Sequence, residues 1–203
     1  MSSWAAQLTF MEKLRDIQQA ETKVLTDTRE VLRELRRLSE DVDSPSQGID
    51  RLRDIRTTLY ENLNQIQHEY LILQGLRWLR AGGYNGEYLE WYWNPRQTGN
   101  SSEPDLLARE GSRVVLSAEA TTSESPQGVI DSRMRHTLAK LSSMEGDKFY
   151  FVRTIAMATR ARTKVSRNSW NIEVVHIEQG RPNPSLQRTP ASPLKGTRRE
   201  AAG

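Results

Sequence analysis

The chain is predicted to be an α/β protein in which a mixed sheet is flanked by helices and preceded by an N-terminal helical hairpin. Three observations predict it. Apolar residues recur at 3-4 spacing through the first eighty positions. From residue 87 onward, short aromatic and β-branched runs are bounded by turn formers. Two amphipathic 3.6-period stretches then alternate with two further strand-like runs, which is the pattern of crossover connections.

Taken in order, residues 8 to 40 read as one helix. Phe10, Leu14, Ile17, Val24, Val31, Leu35 and Leu38 form a seam interrupted by Glu21 and Thr28. Seven basic and seven acidic residues balance along it. SEDVDSPSQG breaks the pattern with turn formers. A second helix follows through Ile49, Leu52, Ile55, Leu59, Leu63, Ile66, Tyr70 and Leu73, with Gly82-Gly83 as its stop. The two form an antiparallel hairpin suited to dimerisation. EYLEWYW (87–93) reads as a strand, and NPRQTGNSS as a loop. Two strands meet near Glu110-Gly111-Ser112. A helix over 128–144 carries Val129, Ile130, Met134, Leu138 and Leu141 on one face. KFYFVRT (148–154) is a strand. IAMATRARTKVSR is a short helix with Ile155, Ala158, Ala161 and Val165 on one face, and NIEVVHI (171–177) is a final strand. Three parts result: a helical arm over 1–63, an α/β domain over 64–178, and a tail over 179–203. The tail is rich in Pro, Ser, Thr and Arg and is expected to be disordered.

Composition narrows the function. The chain has no cysteine, which excludes disulfides and thiolate metal sites. It has no apolar run approaching the ~20 residues of a membrane span, so no membrane partner is expected. MSSWAAQLTF lacks a basic region followed by an apolar stretch, and a cytoplasmic location is the expectation. The tail holds five basic side chains against one acid, a net +4; with +3 for the whole chain, the remainder carries −1. Any nucleic-acid surface in the body must therefore be a local patch.

The informative stretch is EPDLLAREGSRVVLSAEATTS, Glu103 to Ser123. A three-residue loop over 110–112 pairs 109 with 113. It sets Leu106 against Leu116 and Ala108 against Val114 on one face. Asp105, Leu107, Val115, Ser117, Glu119 and Thr121 fall on the other. Asp105 then lies opposite Ser117, diagonal to Glu119, at about 7–8 Å between α-carbons. Two convergent carboxylates are costly without a positive partner. A hard divalent cation such as Mg²⁺ or Mn²⁺ is a natural one, and it can activate water against a phosphate.

Pro104-Asp105, a hairpin, and Glu119-Ala120-Thr121 resemble the signature of the PD-(D/E)XK nuclease superfamily, the restriction-endonuclease-like fold. The resemblance covers roughly residues 64 to 178. It implies Asp105 and Glu119 as metal ligands, the Ala120 carbonyl as a further ligand, and Glu69 on the preceding helix as an outer ligand. The implied activity is Mg-dependent hydrolysis of DNA, with a dimer suited to cutting two strands. Thr121 departs from the pattern, because the family has lysine there to position water and stabilise developing charge. Arg133, Arg135 and Lys140 on the following helix are the candidate replacements, Arg133 first because it lies nearest the helix start. Arginine serves there only as a charge clamp. The alternatives are an inactive relative that binds nucleic acid or protein, and a coiled-coil adaptor with a structural sheet.

Between Arg153 and Arg167 there are five basic residues and no acid. Arg160, Lys164 and Arg167 share a helix face and are the candidate phosphate contacts. Trp78, Trp91 and Trp93 are read as packing. His68, His136 and His176 have no metal spacing and receive no chemical role.

Overall fold

A computed structural model describes residues 11–39, 42–95 and 102–178. The elements are β1 (Glu12–Leu14), α1 (Ile17–Leu38), α2 (Pro45–Ala81), β2 (Leu89–Trp93), β3 (Leu106–Glu110), β4 (Arg113–Thr121), α3 (Val129–Ser142), β5 (Asp147–Val152), α4 (Ile155–Arg167) and β6 (Glu173–His176). One mixed sheet contains the six strands in the order β1-β2-β3-β4-β5-β6. β1 to β4 are antiparallel neighbours; β4, β5 and β6 are parallel, joined across α3 and α4. The expected tail lies outside the described residues. Among the described residues no helix is long and apolar enough to cross a membrane.

The sheet separates two cores. Leu71, Ile72, Leu76 and Leu79 of α2 pack with Trp93, Leu106, Leu116, Ala118 and Ala120 on one side. Met134, Leu138 and Leu141 of α3 and Met157, Ala158 and Ala161 of α4 cover the other. β5 is buried on both faces, with Phe149 and Phe151 in the first core and Tyr150 and Val152 in the second. This is the unbroken apolar pattern of a central parallel strand. α2 comes close to the sheet at Gly75, where an added Cβ would meet the Phe151 ring at 2.7 Å. Trp78 packs edge-on against Phe149 and Phe151, and Trp91 and Trp93 are buried, so the tryptophans do pack.

The N-terminal segment departs from the single helix expected over 8–40. Residues 12 to 14 form an edge strand, with Leu14 paired to Trp91 and turned into the core. The helix starts at Ile17 because Asp16 caps it, accepting from the Gln19 N–H at 2.8 Å. Apolar residues at 10 and 14 satisfy either period, and pairing with β2 decides between them. Residues 8 to 10 lie outside the described residues. α2 runs unbroken through the boundary drawn between 63 and 64, and α1 packs along it; Ala20 is fully buried in the domain core. The hairpin is thus half built into the α/β domain. On α4, Ile155 is exposed and Met157 takes the buried place expected for it.

Candidate active site

The β3–β4 hairpin closes on two residues, Gly111 and Ser112, where three were expected. Glu110 pairs with Arg113 and Arg109 with Val114, with Gly111 at φ +59°. A bulge then shifts the register, so that Ala108 faces Leu116, Leu107 faces Ser117 and Leu106 faces Ala118. Asp105, one residue before β3, comes level with Glu119 instead of Ser117. The carboxylates are therefore direct neighbours, closer than the diagonal arrangement.

Both side chains are buried, Asp105 at 8% exposure and Glu119 at 5%. They lie at the C-terminal end of β4, where the parallel half of the sheet begins. Asp105 Oδ2 accepts from the Ala120 N–H at 2.7 Å and from His68 Nε2 at 3.2 Å. Lys140 Nζ lies 2.6 Å from Glu119 Oε1 and donates to the Glu103 carbonyl at 3.1 Å. Tyr150 donates its hydroxyl proton to Thr121 Oγ1 at 2.8 Å. The sheet, α2 and α3 each supply part of this cluster.

Burial pushes the Glu119 carboxyl well above its ordinary range; the Asp105 charge adds to this and Lys140 opposes it. Burial works against a charged His68, but the Asp105 carboxylate outweighs it and raises the imidazole. Burial also raises the Tyr150 phenol. His68 Nδ1 is buried without a hydrogen-bond partner.

The expected residues separate into those the fold gathers and those it does not. Asp105 and Glu119 meet. Ala120 contributes its N–H to Asp105. Glu69 is buried in a different set of contacts: its Oε1 accepts from Lys23 Nζ at 2.9 Å and Gln65 Nε2 at 3.1 Å. Burial raises its carboxyl against those donors. Its neighbour His68 is the residue of α2 that reaches Asp105. The signal for His68 lay in the helical period, since 68, 72, 75 and 79 share the sheet-facing stripe. Arg133 lies exposed on α3, and Lys140, two turns further on, is the cation at Glu119.

The basic stripe of α4 is largely committed to the fold. Arg160 grips Asp131 of α3 through Nε at 2.6 Å and Nη2 at 3.0 Å, and Lys164 Nζ sits 2.9 Å from the same carboxylate. These contacts hold the Asp131 carboxyl far below the usual range. Arg167 remains exposed at the helix end.

Among the described residues, no three His, Asp or Glu side chains are gathered to hold a metal ion. The two carboxylates do fit a hard cation that takes one or two carboxylates and completes its shell with water. No family model, curated protein or solved structure matches the chain.

Proposed function

We propose that the chain is a metal-dependent phosphodiesterase of restriction-endonuclease-like type, acting on DNA in the cytoplasm. The observation that carries this reading is the meeting of Asp105, Glu119 and Lys140 at the end of β4. Lys140 stands in for the lysine missing at Thr121. Asp105 and Glu119 would hold Mg²⁺ or Mn²⁺, which supplies Lewis acidity toward a phosphate and its attacking water. Asp105 is kept in one orientation by Ala120 and His68. Lys140, the cation at Glu119, would be the group to donate to a phosphate oxygen as charge develops there. Tyr150 fixes the Thr121 hydroxyl, which leaves its proton directed away from the phenol.

One observation favours the second reading, an inactive relative that binds nucleic acid or protein. Lys140 and His68 already offset both carboxylates within the chain. Calorimetric titration of Mg²⁺ and Mn²⁺ into the wild type and Asp105→Asn separates the two, alongside cleavage assays on plasmid and oligonucleotide DNA. Saturable binding lost in Asp105→Asn, with cleavage lost in Glu119→Gln, supports the enzyme. Cleavage retained by Glu119→Gln removes the mechanism.

A further inference from the structure

On the α1–α2 hairpin, an apolar cavity near the sheet continues outward as a groove of exposed leucines that the phosphodiesterase reading does not use. Leu25 of α1 and Ile66 of α2 line one cavity of about 520 Å³. Seven residues on along α1 and seven back along α2, the antiparallel course brings Leu32 beside Leu59. Leu52 and Leu63 extend the same side of α2. These leucines are open to water: Leu25 is 47% exposed, Leu32 60%, Leu52 62%, Leu59 38% and Leu63 41%. From Leu52 to Ile66 the floor runs about 21 Å, four turns of helix. Heptad-spaced leucines on two antiparallel helices form the seat for a third helix.

The rims choose the occupant. Leu25, Leu32 and Leu52 each have an arginine one turn on: Arg29, Arg36 and Arg56. Arg33 adds to the α1 rim. All four arginines are exposed and, among the described residues, form no ion pair. The acids Glu30, Glu34, Asp50, Asp54 and Glu61 fall on the opposite sides of the two helices by the 100° step, and Glu21, which lines the cavity itself, is paired with Arg77. A second copy of this chain would set arginine rim against arginine rim, and the basic tail carries the same sign. Duplex DNA would leave the leucine floor unburied.

We propose that this groove docks an acidic amphipathic helix of a partner protein, its leucine stripe on the floor and its carboxylates on the arginine rims. The site is independent of the carboxylate cluster, and its test does not involve metal or cleavage. The probes are two dye-labelled 21-residue helical peptides with leucine at heptad positions a and d. One carries Glu at the flanking positions and the other Lys; each is titrated against the full 203-residue chain by fluorescence anisotropy. The Glu peptide is expected to saturate at one per chain, and the Lys peptide not to bind. Affinity should fall at least tenfold in Leu32→Gln/Leu59→Gln and in Arg33→Glu/Arg36→Glu, with circular dichroism confirming that both variants remain helical. No binding of the Glu peptide, or equal binding of both, overturns the proposal. So does a dimer in sedimentation that Leu32→Gln abolishes. Capture by phosphatidylserine vesicles or duplex DNA that survives the leucine changes overturns it as well.

Discussion

Replacing Lys140 with Met removes the cation 2.6 Å from Glu119 Oε1 while keeping the aliphatic stem. At an effective dielectric of about 20, a pair at this distance attracts by about 6 kcal/mol before desolvation is counted. The mutant need not lose that much, because Glu119 can take a proton. Protonation limits the loss to about 1.4 kcal/mol for each pH unit by which removing the lysine raises the Glu119 carboxyl further. Lys140 is one-third exposed, so water returns part of the loss. The expected deficit is therefore on the order of 1–3 kcal/mol at pH 8 and smaller at pH 5. The sign follows from the raised carboxyl. A group that binds its proton more tightly when folded stabilises at low pH and loses that contribution as pH rises, and Lys140→Met extends the loss to higher pH. Urea unfolding of both proteins at pH 5, 6, 7 and 8 in EDTA measures it. Equal deficits at pH 5 and pH 8 would refute the reasoning and assign Lys140 a packing role only.

Asp131→Asn frees Arg160 and Lys164 and removes a negative charge beside them, so salt-dependent DNA binding in a filter assay should rise. Asp131 is depressed in the folded chain, so it stabilises above its unfolded range and ceases to do so as pH falls; acid unfolding should accordingly be shallower in the variant. Gly75→Ala drives a methyl group into the Phe151 ring, and overpacking of about 1–3 kcal/mol should outweigh about 1 kcal/mol of helix propensity. A gain in denaturation midpoint would show that Phe151 can move aside. Saturating Mn²⁺ should raise the melting temperature of the wild type by several degrees and leave that of Asp105→Asn unchanged.

What the sequence made legible is whatever is written in local period. α4 spans 155–167 as read, because Thr154 caps it and accepts from the Met157 N–H. The two-sided burial of Phe149 through Val152 follows from an unbroken apolar run. The alternation in β4 placed Glu119 on the face opposite Leu116 and Ala118. The hairpin register was not legible, since the Ala108/Arg109 bulge shifts the ladder without changing the alternation on either side. The partners of the charges were hidden for a different reason. Arg160 and Lys164 look like a free basic stripe until α3 brings in Asp131 from about thirty positions away. His68 likewise carries no meaning until α2 is laid against the end of β3.

Strand order follows chain order across the whole sheet, and this bears on how the molecule assembles. Phe149 joins Ala118 from 31 positions away and Glu173 joins Phe149 from 24, so β3 to β6 can form by successive short closures. β1 is the exception: Leu14 meets Trp91 across 77 positions, with both long helices between them. Its three residues must wait for the α1–α2 hairpin to close before they have a partner. Amide exchange should therefore be fastest at β1 and slowest along β4 and β5. On this reasoning the candidate site, built mainly on the inner strands, is expected to assemble before the N-terminal edge is sealed.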